Sequence, residues 1–521
     1  MRGTQSRAAR MTRRRAIVLA SIYLAIGLHV AHWKLYGRTL APLELNEVMY
    51  TLELGVVTAG FLFMVVLLLG TLVVGRFFCG WACHILALED LAAAGLGRVG
   101  IRLRPFRSRT LAWVPLLAAL YMFAWPQVAR LLTEHGDWAA RRIGPRPDFT
   151  WRVLGDSEGW ASFLTSDFAR NLPGPFIAGA TFLICGGLIV YLLGSRSFCR
   201  YVCPYGAVFA LADRVAPGRI VLTGDCSRCG ICTAQCQSQV RVHEEVARFG
   251  SVVDPACLKD LDCVAICPEN ALSFGFTRPA LWKKDADPAR PGRALPTLRG
   301  SEEVLVALTF AGVFLAVRGL YSVVPFLLAL GSAACAAAFA ILLLRALRGQ
   351  SAWVPGFPLR RSRRFTRAGR IGVVVAALLL AVIAHSGWIR YHEVRSAQIY
   401  ASLTRPATGP PADVDLGADT RLARLRRHLE MRARWGLVRP EDLEHKLASF
   451  YLHAGPIEQA EPWLRRLLRR RPEDLEVRAR LVSLLEHTGR REEAQVERRT
   501  MDAIVTKADG AGALRGVGVG P

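Results

Sequence analysis

The run Cys226-x2-Cys229-x2-Cys232-x3-Cys236, followed by Cys257, Cys263 and Cys267-Pro268, constrains this chain more than any other stretch. Seven thiols fall within 42 residues. The first three stand three residues apart, so one tight loop aims three sulfurs at an iron–sulfur cubane. In this layout the fourth cysteine of each run serves the neighbouring cluster. The spacing therefore assigns Cys226, Cys229, Cys232 and Cys267 to one cluster, and Cys236, Cys257 and Cys263 to a second. Cys236 is expected to start a short helix that crosses to the partner site. A zinc knuckle pairs CxxC with another CxxC or with histidines about 12 to 20 residues away, whereas here a third cysteine follows directly.

The second run departs from the first. Its second cysteine is due at position 260, and Asp260 stands there. A three-iron cluster, a four-iron cluster with the Asp260 carboxylate on its fourth iron, and one with water there all satisfy the pattern. Carboxylate is a harder and weaker ligand than thiolate for this iron, so that corner is labile. An ordinary polar loop residue beside an incomplete site is the plainer reading of Asp260. The cofactors expected are two iron–sulfur clusters, one 4Fe-4S and the other 4Fe-4S or 3Fe-4S.

The chain has 521 residues, 52 % of them hydrophobic, and a net charge of +25. Its apolar residues gather in runs at roughly 16–33, 54–75, 111–132, 175–194, 303–320, 322–344 and 371–389, which read as about seven membrane spans. Cys185 and Cys335 lie inside two of these runs and read as small core residues. Arginines crowd the N-terminus, the loop 97–109 and the segment 345–370, while the alternate loops mix both signs. Basic loops stay in the cytoplasm, so the N-terminus and the cysteine-rich segment are expected inside. Thiolate ligands need that reducing compartment as well. Because the arginines flank spans instead of covering one face, nucleic acid is not an expected partner. Thr12-Arg13-Arg14-Arg15 hints at a twin-arginine signal, but no small-residue cleavage site follows, and an uncleaved anchor is expected.

Two segments repeat each other at an offset of 120: Arg76-Phe77-Phe78-Cys79-Gly80-Trp81-Ala82-Cys83 and Arg196-Ser197-Phe198-Cys199-Arg200-Tyr201-Val202-Cys203. Each follows an inward-going span. If helical, each Cys-x3-Cys pair shares one face. Cys79, Cys83, Cys199 and Cys203 then supply four thiolates for a further metal or cluster at the membrane edge. A redox dithiol, or thiols passing a soft ion such as Cu(I), competes with that reading; small apolar residues at helix ends are the plain one. His29 and His32 near one end of the first span, and His385 near the end of the last, are intramembrane histidines and hence candidates for metal or haem ligation. Interfacial histidines satisfied by water or backbone are the alternative. Glu44, Glu47 and Glu53 share the first outer loop and suit a proton relay from quinol.

Beyond Trp388 the chain turns polar. His453-Ala454-Gly455-x4-Ala460 recurs as His487-Thr488-Gly489-x4-Ala494, an offset of 34 that resembles tetratricopeptide (TPR) repeats. Residues 421–449 supply an atypical first helical pair. Such a solenoid offers a groove to an extracytoplasmic protein partner.

The expected architecture is a polytopic α-helical membrane protein with an inserted ferredoxin-like α+β domain and a C-terminal all-α TPR-like solenoid. Its parts are a membrane domain with the duplicated unit (1–213), the 4Fe-4S insert (214–300), spans five to seven (301–392), a linker (393–418), the repeat domain (419–507) and a disordered tail (508–521). Two Cys-x3-Cys motifs after paired spans, followed by a two-cluster insert, resemble the membrane polyferredoxins. That group includes the membrane ferredoxin subunit of nitrate-reductase systems, the nitrous-oxide reductase support protein and the cytochrome oxidase accessory protein. The resemblance covers roughly residues 10–280. In that group both pairs are followed by Pro; here Cys203-Pro204 conforms and His84 departs. It implies electron transfer in the bacterial inner membrane, from quinol or a cytoplasmic donor to a membrane or extracytoplasmic acceptor. An accessory factor handling copper for a respiratory enzyme, or a redox-sensing TPR scaffold, are the competing functions. The chain shows no substrate pocket of a stand-alone enzyme.

Overall fold

The computed structural model describes all residues except 1, 136–151, 154–163, 166–167, 169–173, 286–297, 351, 362–363, 404–417 and 516–521. Six helices are long and apolar enough to cross a membrane: Ala9–Tyr36 within the longer helix Arg2–Tyr36, Arg109–His135, Pro175–Leu193, Gly300–Val317, Phe326–Leu347 and Arg367–Leu403. They cover six of the seven expected runs. The remaining run, 54–75, forms a helix of only 16 residues, Ala59–Val74. At 1.5 Å per residue it spans about 24 Å, short of the roughly 30 Å hydrocarbon core. Its limits are local. Gly55 at φ 77° stops the preceding helix, the Thr58 hydroxyl caps the new one by accepting from Phe61 N–H, and Gly75 at φ 72° ends it.

The chain divides into two units, residues 1–318 with 324–380, and residues 319–323 with 381–521. In the first unit the helices Arg109–His135, Pro175–Leu193 and Phe326–Leu347 share a core of Leu111, Val114, Ile189, Leu193, Ala334, Ala338 and Ile341. Phe326–Leu347 is the most deeply packed, because Gly331, Ala333, Ala334, Ala337 and Ala338 let neighbouring backbones approach closely. Cys185 and Cys335 are buried in this same core. Two short strand pairs reach the second of the loops expected outside: Thr39–Leu40, in the first such loop, pairs with Leu164–Thr165, and Val56–Val57, at the start of the expected second span, pairs with Arg152–Val153.

The cysteine-rich insert is α+β. Strands Gly218–Leu222 and Leu272–Phe276 pair antiparallel in the register Ile220↔Phe274. Around them lie the short helices Ile231–Gln235, Val242–Phe249 and Asp262–Ile266. Its core of Ile220, Val240, Val242, Val246, Val252 and Ala271 also buries Cys232, Cys257, Cys263 and Cys267.

Helix Arg367–Leu403, which belongs to the second unit from Ala381 on, continues eleven residues into the expected linker, since Glu393–Leu403 contains neither Gly nor Pro. The rest of the linker, 404–417, lies outside the described residues. Helices Ala418–Trp435, Glu441–Ala454, Glu461–Arg470, Leu475–His487 and Arg491–Arg515 follow. Ala418–Trp435 and Glu441–Ala454, the two helices over the stretch expected to supply an atypical first pair, pack on each other through Leu425, Leu429, Leu443 and Leu447. The last helix passes the expected tail boundary at 508, where Ala508, Ala511 and Ala513 favour helix. The recurring alanines, Ala460 and Ala494, are 0 % and 1 % exposed, where a larger side chain would separate the packed helices. Ala460→Leu or Ala494→Leu is therefore expected to destabilise this unit by about 1–3 kcal/mol. Thermal unfolding with limited proteolysis of the full chain checks it: cleavage within 418–515 should begin at lower temperature than in the parent protein.

Candidate iron–sulfur sites

The first three cysteines of the insert wrap a short loop, and Cys267 joins them from the second run. Cys226, Cys229, Cys232 and Cys267 line one small cavity together with Gly230, His243, Pro268 and Leu272. Cys236 and Cys267 each follow the last residue of a short helix, Ile231–Gln235 and Asp262–Ile266 respectively. The expectation that Cys236 opens a helix is thus reversed. The third cysteine of each run rides the helix, and the fourth leaves its end in extended conformation.

The two runs superpose in sequence at an offset of 31. Cys226, Cys229, Cys232 and Cys236 correspond to Cys257, Asp260, Cys263 and Cys267. The backbone repeats at the same offset: Arg228, Gly230 and Gln239 have φ of 55°, 73° and 61°, and Lys259, Leu261 and Asn270 have 57°, 65° and 53°. Left-handed conformation costs a non-glycine residue about 1 kcal/mol or more, so a loop keeps it where its surroundings demand it. Both loops curl around a centre in the same manner, with Asp260 at the position of Cys229.

Around the second centre, Cys257, Asp260 and Cys263 are buried. Burial, reinforced by Asp260 and Cys257, pushes the Cys236 thiol up to about 12. The Cys263 thiol is driven well above its ordinary value by burial and by Cys257, Asp260 and Cys236. The four groups therefore stand close enough to act on one another, and burial disfavours a bare thiolate at Cys236 and Cys263. Asp260 Oδ2 stands 4.0 Å from the Arg15 guanidinium of the N-terminal helix, which also meets Asp262 at 3.1 Å and Asp90 at 2.7 Å.

The repeated membrane motifs do not form continuous helices. Phe77–Trp81 ends at Ala82 (φ −127°), and a new helix, His84–Arg98, begins with Cys83 at its cap. The second copy does the same: Ser197–Tyr201 ends at Val202 (φ −128°), and Cys203 caps Pro204–Val215, its sulfur accepting from Gly206 N–H at 3.3 Å. The shared-face expectation fails because each pair is split by a break in the helix, with the second cysteine at the start of the next one. The two pairs nevertheless converge. Cys79, Cys83, Cys199 and Cys203 sit in one cluster with Leu86, Tyr205 and Phe209. The Cys199 thiol is raised by burial, then by Glu89, Cys83, Cys203 and Cys79. Burial opposes the charge of Arg76, but the thiols of Cys79, Cys199 and Cys203 outweigh it and hold the guanidinium protonated.

Two buried carboxylates cross between the copies. Glu89, on the helix of the first copy, accepts Phe198 N–H at 2.9 Å and lies 3.3 Å from Cys199 Sγ. Burial raises its carboxyl to about 7 against the pull of Arg196. Asp213, on the helix of the second copy, accepts Arg76 N–H at 3.1 Å in the first. Asp213 also binds Lys259 Nζ at 2.7 Å and faces Arg219 at 3.5 Å, all three fully buried. The arginine three before each first cysteine was visible in the motif. Glu89, Asp213 and His243 belong to no motif, although an acid in the apolar stretch Ile85–Gly95 is itself a signal of a buried partner.

The histidines go elsewhere. His29 Nε2 lies 3.0 Å from Leu40 O, and His32 Nδ1 lies 2.9 Å from Thr39 Oγ1, both within the following loop. His385 Nε2 is buried without a hydrogen-bond partner among the described residues. Glu47 accepts Gly60 N–H at 3.1 Å and so caps the short second span. Among the described residues, no three His, Cys, Asp or Glu side chains converge as a single ion requires. One zinc, for example, draws its ligands to within about 2.3 Å of a point. All thirteen cysteines are unpaired.

The 4Fe-4S binding domain family matches residues 56–103 and 176–222, the two copies of the span and Cys-x3-Cys unit. Among curated proteins the chain is 24 % identical over 232 residues to YccM of Escherichia coli, provisionally named an electron transport protein. It is 27 % identical over 184 residues to MauN of Methylobacillus flagellatus, named a methylamine utilization ferredoxin-type protein, and 28 % identical over 153 residues to NirI of Paracoccus denitrificans. These matches take in 43 %, 35 % and 28 % of this chain and 58 %, 52 % and 19 % of the relatives, so the chain spans about half the length of the relatives, or less. No solved structure matches it.

Replacing Asp213 by Ala leaves Lys259 and Arg219 buried without their counter-charge and Arg76 N–H without an acceptor. A loss of about 3–5 kcal/mol is expected, read as a lower unfolding temperature of the detergent-solubilised protein. Asp213→Asn, which keeps an acceptor, should lose less.

Proposed function

We propose that this chain, a member of the polyferredoxin-type family of iron–sulfur electron-transport proteins, carries electrons along one row of three thiol sets that ends at the membrane edge. The observation that carries this reading is the seating of the second-run loop on the first membrane motif. Gly80, between Cys79 and Cys83, lies so close to that loop that a Cβ would stand 2.2 Å from Leu258 O. Trp81 Nε1 donates to Lys259 O at 3.0 Å, and Arg76 donates to Pro255 O at 2.9 Å. Leu258 packs in the same cluster as the four motif cysteines.

The residues fit iron–sulfur groups by donor chemistry. Cys226, Cys229, Cys232 and Cys267 would hold one cluster. Cys236, Cys257 and Cys263 would hold another, with Asp260 at its fourth corner. Cys79, Cys83, Cys199 and Cys203 would hold a third. When bound, such clusters take up and release single electrons without making or breaking bonds. The chain supplies order and insulation: it seats the insert against the motif turns, buries Cys79, Cys232, Cys257, Cys263 and Cys267 and sets Arg76, Arg196 and Arg15 against the charge of the sets. With the basic loops inside and the short helix Ala59–Val74 counted as a seventh crossing, the row faces the cytoplasm of a bacterial inner membrane. The C-terminal helices, a TPR-like solenoid with buried Ala460 and Ala494, would then lie outside and receive a protein partner. Quinol or a cytoplasmic reductant is the donor class.

Gly80→Ala tests the row. Anaerobically purified protein should bleach on reduction and recover with a soluble quinone. In the variant, iron and sulfide per chain should match the parent while recovery slows, because the added methyl pushes the Leu258 loop away. Equal recovery rates would contradict the proposed row. Asp260→Cys completes the second set: the labile carboxylate corner should lose its iron on oxidation and give the parent protein a three-iron EPR signal that vanishes in the variant, whereas its persistence would remove Asp260 from that corner.

A further inference from the structure

We infer that the groove between the N-terminal helix and the iron–sulfur insert is the docking surface for an acidic electron-carrier protein, an inference that rests on the electron-transport reading above. Arg7, Arg10, Met11 and Arg14 line one wall, and Val264, Ala265, Asn270 and Leu272 line the other. The spacing 7, 10, 11, 14 is that of one helix face, so the arginines form a stripe along the groove. The opposite wall is apolar apart from Asn270. No carboxylate pairs with Arg7, Arg10 or Arg14 among the described residues. The neighbouring Arg15 is, by contrast, taken up by Asp90 and Asp262, which fixes the helix against the insert. A basic rim around an apolar strip complements a partner with an acidic rim around an apolar contact.

Its position indicates what that partner does. Leu272 lines both the groove and the cavity bounded by Cys226, Cys229, Cys232 and Cys267. A carrier seated here therefore lies one side chain from the outermost thiol set, at the end of the row farthest from the membrane motifs. Docked in its reduced form, it loses one electron and this chain gains one, with no proton or bond transferred.

Anionic lipid is the other occupant a basic helix face can take. The apolar run begins at Ala16, and at 1.5 Å per residue Arg10 and Arg7 stand about 9 and 13 Å before it. The headgroup layer extends only about 5–8 Å beyond the hydrocarbon. Arg14 falls within that layer, whereas Arg7 and Arg10 project beyond it along the insert.

The test uses the full chain in nanodiscs of phosphatidylcholine and, as probe, a small acidic two-iron ferredoxin. The parent protein should bind it with an affinity that weakens as salt rises. Arg7→Glu/Arg10→Glu, which leaves Arg13, Arg14 and Arg15 to orient the first span, should weaken binding by at least about tenfold. Arg7→Lys/Arg10→Lys should keep it. Arg7→Gln/Arg10→Gln serves in place of the glutamate variant if the latter does not assemble. No binding by the parent, or equal binding by the glutamate variant, overturns the inference. So does loss of binding when phosphatidylglycerol is added to the discs, which would assign the arginines to lipid. Iron and sulfide are measured alongside. Their absence from the parent would sink the electron-transport reading, while loss of docking with both present would sink only this surface.

Discussion

The arrangement rests on two carboxylates exchanged between duplicated halves. Glu89, on the helix of the first copy, holds the cysteine turn of the second, and Asp213, on the helix of the second, holds the turn of the first. Each accepts a backbone N–H that would otherwise be stranded in a water-free site, where an unmade bond costs about 1–3 kcal/mol. Four thiols from segments 120 residues apart converge because neither half can satisfy its own turn. The duplication thus brings the four motif cysteines into one cluster between the copies.

Asp213 also reaches the insert. Lys259 is held in the left-handed region between Cys257 and Asp260, and its ammonium ends on the carboxylate that fixes Arg76 N–H. Arg15 makes the matching tie on the other side through Asp262 and Asp90. Uncompensated charge at such depth is costly, so each ion keeps its partner and each partner belongs to a different segment. Span, motif turn and insert are therefore locked at the point where the second-run loop meets Gly80. The substitution of Asp260 for a cysteine falls at this junction, beside Arg15, which offers the carboxylate a counter-charge at 4.0 Å.

Much of this was legible in the sequence. Thiol spacing is set by cluster geometry, and the four cysteines paired by that rule line one cavity. Six of the seven apolar runs are helices of spanning length, since a run of that kind has no other stable form in lipid. Local details escaped. The Cys-x3-Cys pairs break at Ala82 and Val202 because the second cysteine caps a helix, and spacing alone cannot separate a cap from a continuing turn. Cys236 ends a helix where it was expected to start one, for the same reason. His29, His32 and Glu47 found loop and cap partners that no periodicity reveals. Glu89 and Asp213 act across long sequence separations, so their partners become visible only in the folded chain.

The most direct measurement is iron and acid-labile sulfide per chain, with EPR, in anaerobically purified protein compared with its Cys79→Ser/Cys199→Ser variant. A shared membrane-edge centre predicts that the variant loses one cluster's worth of iron and sulfide while the signals of the insert remain. Unchanged iron and sulfide in the variant, or zinc in place of iron in the parent protein, would contradict it.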